Sequence, residues 1–252
     1  MMENCAVLKS QTPKVYKHKK LNSADFDNFN HSDYQIFLHL ISKIGGVDEK
    51  GKYLQSKNLK REHSLTAKEY SLIFKTDLSN GYKQINNACN KLMKTDIKIR
   101  DGKNIIRINV CSLAVYNKSE GKISIKFTDD IMPYLAQVRE KFLLYNIKEI
   151  SNFGSLYTTR LYELIREYKK TGWMEKSILE LRESLAVGNK FKKYFDFKKY
   201  TFGHACKEIN HNYPEIALSF EEKKEGRKIV AIKFIFNIVS DNPVQEIKTA
   251  PK

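Results

Sequence analysis

Between Ser155 and Asn210 three apolar stripes of helical period follow one another with only short breaks. In SLYTTRLYELIREYKKTGW, residues Tyr157, Leu161, Leu164, Ile165 and Tyr168 share one side of a 3.6-residue period. Arg160, Glu163, Arg166 and Glu167 fall on the other, so the segment reads as an amphipathic helix that needs a partner. Ser177 with Glu180 spells a capping box, Ile178, Leu181 and Leu185 supply a stripe, and Gly188 stops a second, short helix. Asp196 then caps a third helix with Phe202, Ala205, Cys206 and Ile209 inside and Tyr200, Gly203, His204 and Lys207 outside. Three helices with a short turn before a basic third one describe a helix-turn-helix reader of DNA.

A hairpin follows that triplet. Ile216, Leu218 and Phe220 alternate outward, EEKKEGRK turns the chain, and Val230, Ile232, Phe234, Phe236 and Ile238 bring it back. Its tip carries Lys223, Lys224, Arg227 and Lys228.

The same order is legible earlier in the chain. Tyr34, Phe37, Leu38, Ile41 and Ile44 stripe a first helix that Gly45 and Gly46 end. Thr66 and Glu69 cap a second, packed through Tyr70, Ile73 and Phe74. After the turn at Asp77 to Asn80, Tyr82, Ile85, Ala88, Cys89 and Leu92 form the inner side of a longer third helix. Its outer side offers Lys83, Asn87, Asn90 and Lys94. Asparagine bonds adenine bidentately and lysine takes a guanine edge or a phosphate, so this side suits a major groove; a polar helix side is equally what water asks for. Next come Ile97 and Ile99, an Asp101-Gly102 turn, and Ile106, Ile108 and Val110, which read as a wing with Arg100 and Lys103 at its tip. Ile123, Ile125 and Phe127 add a third strand, and Asp129 to Gln137 a short helix interrupted by Pro133. FLLYNI, within 139–154, is a small strand in a connector.

The pattern gives an α+β protein of two tandem winged-helix domains. Residues 1–20 are a flexible basic arm, 21–138 an N-terminal winged-helix domain, 139–240 a C-terminal one and 241–252 a loose tail. Trp173 reads as a packing anchor between the first helix of the second domain and its sheet.

Charge points first to nucleic acid as the partner and second to an anionic membrane surface. Forty-five Lys and Arg against 29 Asp and Glu leave a formal +16, a field that attracts polyanions. From Lys190 to Lys199 five lysines, among them Lys192, Lys193, Lys198 and Lys199, face the single acid Asp196. With Tyr200, His204 and Lys207 they form the cationic edge of the second reader. No stretch approaches the roughly 18 apolar residues of a spanning helix and no secretion signal opens the chain, which points to the cytoplasm. Surface attachment through the lysines of 9–20 lacks an amphipathic helix with large apolar residues. Cys5, Cys89, Cys111 and Cys206 show no CxxC pairing, so reduced core thiols are expected and no metal cluster or cofactor is indicated.

An enzyme is the competing class. A rolling-circle nickase needs a histidine pair spaced HxH beside a tyrosine nucleophile, and the histidines at 18, 31, 39, 63, 204 and 211 never form one. Neither GxxxxGKS/T nor HExxH occurs, so no catalytic residue is assigned. A dedicated winged-helix repressor remains a rival, because it needs the same groove readers.

RLYELIREYKKTGW, the SxxELRESLAV segment, YFDFKKYTFGHACKEIN and GRKIVAIKFIFNI resemble the second domain of iteron-binding plasmid replication initiators, the Rep_3 or RepB-like family. LTAKEYSLIF, GYKQINNACNKLM and FTDDIMPYLAQ to FLLYNI are similar to its first domain. The likeness runs from about residue 20 to 239. It implies a monomer that binds direct repeats in origin double-stranded DNA and recruits a host initiator ATPase and replicative helicase. It also implies a homodimer, joined through the first domain, that represses its own gene at an inverted repeat. Carried over by position, the groove readers are Lys83 to Lys94 and Lys198 to Lys207.

Overall fold

A computed structural model describes residues 14–26, 28–44, 59–135 and 142–238. Residues 1–13 of the expected arm, the loop 45–58 and the expected tail lie outside them. The contacts divide the chain into two compact units, Met1–Gly154 and Ser155–Lys252.

The first unit opens with β1 (Lys14–His18) and the single turn α1 (Lys19–Asn22), followed by α2 (His31–Ser42). Asn30 caps α2 reciprocally: its Oδ1 accepts from Asp33 N at 2.8 Å while Asn30 N donates to Asp33 Oδ2 at 3.0 Å. β2 (Glu62–Thr66) runs straight into α3 (Ala67–Phe74), whose Thr66–Glu69 capping box forms as the sequence spells it. α4 (Leu78–Lys94) comes next, capped by Asp77, which accepts from Asn80 N at 2.9 Å. Four strands follow, β3 (Asp96–Asp101), β4 (Asn104–Asn109), β5 (Cys111–Asn117) and β6 (Lys122–Phe127). α5 (Met132–Leu135) tolerates Pro133 because a first-turn N–H has no helical partner to lose. β7 (Phe142–Asn146) and a 3-10 turn at Ile147–Ile150 finish the unit. Phe26, Phe37 and Phe127 are fully buried at its centre, each ring removed from water contributing about 1.5–3 kcal/mol.

In the second unit α6 (Leu156–Glu167) leads to β8 (Trp173–Ser177), which runs into α7 (Ile178–Ser184) through the Ser177–Glu180 capping box. Then come α8 (Tyr194–Tyr200), α9 (Phe202–Asn212), β9 (Ser219–Glu225) and β10 (Lys228–Ile235). Phe197, Phe202 and Phe234 fill the core, Phe202 meeting Phe197 and Phe234 edge-on.

Sheet order shows how the units correspond. In the first it is β2-β6-β5, in the second β8-β10-β9. Each time the strand that feeds the second helix pairs with the returning strand of the hairpin after the third. The wing of the first unit is therefore β5–β6, with its turn at 118–121. β3–β4, read from sequence as the wing, forms a separate two-stranded sheet inserted between reader helix and wing. Strand periodicity identifies a hairpin but not which strand it joins; that depends on β2, whose partners run from Lys122 opposite Thr66 to Lys126 opposite Glu62, far along the chain.

Four other expectations are corrected. β1 pairs antiparallel with β7, so residues 14–18 and 142–146 belong to one sheet rather than to an arm and a connector, and the first unit extends past 138. Lys17, expected to be solvated, is fully buried and its Nζ donates to the Tyr34 hydroxyl at 2.7 Å. Arg160 and Glu163, assigned to the solvent side of α6, are likewise buried: α9 covers one side of α6, and Arg160 Nε donates to the Ser184 carbonyl at 2.8 Å. Trp173 begins β8 but is 49% exposed, with Lys233 Nζ 5.2 Å above its ring, so it is no core anchor.

Candidate nucleic-acid interface

In the first unit the candidate reader is α4, which approaches α3 closely at Gly81. A Cβ on Gly81 would lie 2.3 Å from Ser71 Oγ and 3.2 Å from the Ala67 carbonyl. Ile85, Ala88, Cys89 and Leu92 are buried, which turns Lys83, Asn86, Asn87, Asn90 and Lys94 to solvent. Lys83, Asn87, Asn90 and Lys94 thus lie where the sequence puts them. Asn86, exposed beside them, was missed because it flanks the centre of the helical stripe. The wing turn rests on this helix as well. Gly121 has φ +56°, and a Cβ there would fall 1.8 Å from the Tyr82 ring.

Arg100 and Lys103 are exposed, but on the inserted β3–β4 hairpin rather than on the wing. The true wing turn offers Lys118, exposed, and Lys122, whose Nζ lies 3.1 Å from Glu120. Neither was picked from sequence, where the hairpin β3–β4 was read as the wing.

In the second unit the third helix is broken. Thr201, at φ −117° and ψ −103°, separates α8 from α9, and its hydroxyl donates back to the Phe197 carbonyl. Asp196 sits inside the first turn of α8 and caps nothing; the cap position is Lys193, which makes no side-chain bond. The break lets α8 fold against the start of α9. Gly203 makes that approach possible, for a Cβ on it would lie 2.6 Å from the Lys198 carbonyl.

The inner side of α9 is as read, with Phe202, Ala205, Cys206 and Ile209 buried. Burial pushes the Cys206 thiol up to about 12, so it is a packing group and not a nucleophile. Tyr200, His204 and Lys207 are exposed and line a cleft of about 1040 Å³ with Lys198, Lys199 and the 70%-exposed Phe195. Ser155 and Tyr157 at the head of α6, and Leu218 to Phe220 entering β9, close its sides. Asn210 ties α9 to that strand: Nδ2 donates to the Leu218 carbonyl and Oδ1 accepts from Leu218 N, both at 2.8 Å. The wing therefore moves with the reader.

The cations here are not equal. Lys198 Nζ is 2.8 Å from Glu222 Oε1, which also accepts from the Tyr194 hydroxyl at 2.7 Å. These bonds, that from Lys198 first, hold the Glu222 carboxyl below its usual range. Lys198 is thus already neutralised. Lys199 lies 5.0 Å over the Tyr200 ring, and His204 Nε2 is 3.5 Å from Glu208. Lys207, Lys192 and Lys193 are exposed. At the wing Lys224, Arg227 and Lys228 are exposed around Gly226, while Lys223 is half-buried and 3.6 Å from Glu221.

Among the described residues no group of three or more His, Cys, Asp or Glu could hold a metal ion, and no helix is long and apolar enough to cross a membrane.

A pair of winged-helix units, each turning the polar side of one helix outward beside a hairpin, defines the class. Comparison with known proteins narrows it. Residues 14–166 match the family model described as initiator replication protein, WH1, and residues 177–236 its WH2 counterpart. The chain belongs to this family of initiator replication proteins. It is 32% identical over 151 residues to the PI protein of Escherichia coli, covering 53% of this chain and 50% of that protein. It is 27% identical over 173 residues to a replication initiation protein of Escherichia coli, covering 66% and 53%. The chain thus spans about half the length of the curated relatives it matches. The crystal structure of the Pi initiator protein in complex with iteron DNA matches with a TM-score of 0.72 at 24% identity, covering 91% of this chain and 99% of that one. At that identity the likeness speaks for the shared fold.

Proposed function

We propose that this chain is a plasmid replication initiator that binds repeated origin sequences in double-stranded DNA through α4 and α9. The observation that carries this reading is the chemistry of the two exposed helix faces. α4 contains no acidic residue, and α9 turns His204 and Lys207 outward beside a cationic wing. Family membership supports it, as does the iteron DNA named with the Pi structure. Lys192, Lys193, Lys199, Lys224, Arg227 and Lys228 hold the phosphates on either side of the second reader, and Lys83 and Lys94 do so at the first. Asn87, Asn90, Tyr200, His204 and Lys207 face base edges.

In this reading the chain has no catalytic centre. DNA distortion and recruited host proteins, an initiator ATPase and the replicative helicase, open the origin. A homodimer, joined through the first unit, represses the gene at an inverted repeat. Footprinting on the origin of the chain's own plasmid tests the core of this: protection recurring at direct repeats supports it. A footprint confined to an inverted repeat at the promoter, with replication intact when the gene is deleted, replaces it by a dedicated repressor.

A further inference from the structure

α4 carries Asn86, Asn87 and Asn90 within one and a half turns, all exposed, between Lys83 and Lys94. Asparagine is among the poorer helix formers, since its short amide competes for nearby backbone groups. Three of them in the middle of a solvent-facing stripe therefore weaken the helix, where glutamate, glutamine or lysine would have served water as well. Nothing in the fold requires them. The Asn86 and Asn87 amides have no hydrogen-bond partner among the described residues, and Asn90 Nδ2 reaches only the Asn86 carbonyl at 3.4 Å. The helix is held from the other side by Ile85, Ala88, Cys89 and Leu92, and its N-terminus by Asp77.

An asparagine amide presents one donor group and one acceptor in a plane, the complement of adenine N7 and N6–H in the major groove. In the major groove it fits no other base edge in this way, and as a phosphate ligand it is inferior to the lysines on either side. We infer that α4 is an adenine reader, in which Asn87 and Asn90 bond adenine edges while Lys83 and Lys94 hold the flanking phosphates. Asn86, on the rim of the same stripe, is the third candidate contact. The second unit differs, since the outward side of α9 carries His204 and Lys207, and both of its asparagines are engaged: Asn210 is bound to Leu218, and Asn212 Nδ2 donates to the Glu208 carbonyl at 2.9 Å. The site recognised through α4 is accordingly richer in adenine than the site under α9.

This inference rests on the proposed DNA-binding function and is tested by selecting sites from randomised duplexes. The full chain is compared with Asn87→Ala and Asn90→Ala. Alanine raises helix propensity, so both variants keep a thermal midpoint at or above that of the parent. The expected result is that the positions losing selectivity in the variants are adenines in the parent's site. Replacing such an adenine by 7-deazaadenine, which lacks the N7 acceptor, weakens parent binding by about 5- to 100-fold and leaves the matching variant unaffected. The assignment is overturned if those positions are not adenine, or if the variants bind more weakly on all sequences alike, as lost phosphate contacts would make them. Failure of the parent to enrich any sequence removes the proposed function and this inference with it.

Discussion

At the scale of single residues, a cation's value to DNA depends on what it already holds. Lys198 is matched to Glu222, whereas Lys207 is exposed on the reader face. Lys207→Ala should lower the slope of log affinity against log salt by about one. The charge-conserving double substitution Lys198→Ala with Glu222→Gln should leave that slope unchanged; titrations at several salt concentrations check both. His39, buried in the first unit, gives a second prediction. Burial chiefly, with Lys43 nearby, lowers it from 6.5 to about 4, and its Nδ1 has no partner among the described residues. Between pH 6.5 and 4 the unfolded chain takes up a proton at this position that the folded chain refuses. Stability therefore falls as pH falls through that window, by up to about 3 kcal/mol, and is unaffected by this group above it. Denaturant titrations from pH 4 to 7 should show the slope in the parent and a shallower one in His39→Leu.

At the scale of elements, the break between α8 and α9 decides how the proposed second reader is presented. Gly203→Ala places a methyl 2.6 Å from the Lys198 carbonyl, and an enforced shift of this kind costs about 1–3 kcal/mol. The variant should melt lower and lose specific more than non-specific DNA binding, measured by calorimetry and by competition with unrelated duplex. How much was legible differs from element to element. The capping boxes at Thr66–Glu69 and Ser177–Glu180 form as spelled, because caps are local and their residues lie three apart. The inner side of α9 was legible from helical period alone, and that of α4 except at Tyr82, which the period puts inside but which lies exposed at the head of the helix against the wing turn at Gly121. The wing of the first unit was not, because two consecutive hairpins look alike until β2 chooses one. The buried Arg160–Glu163 pair escaped for the opposite reason: charge marks a solvent face only when a helix has one, and α6 is covered along nearly its whole length. Of the candidate site, the exposure of Lys83, Asn87, Asn90 and Lys94 was legible from sequence, but the capture of Lys198 by a glutamate from the following hairpin was not.

At the scale of the whole molecule, the formal +16 and the cations of both units would make the proposed association with DNA strongly electrostatic. If some 6–10 phosphates are engaged, affinity should drop about 10³- to 10⁵-fold between 50 and 200 mM salt. Fluorescence anisotropy on a cognate repeat over that range measures it. A fall of less than about tenfold would mean that few of the exposed lysines meet the duplex. The antiparallel pairing of β1 with β7 bears on biosynthesis. On the ribosome β1 emerges long before β7 and must wait, as a bare sticky edge, until synthesis has delivered its mate at 142–146. A nascent chain stalled near residue 138 carries α4 yet has no partner for β1, and such fragments should aggregate where the finished unit does not.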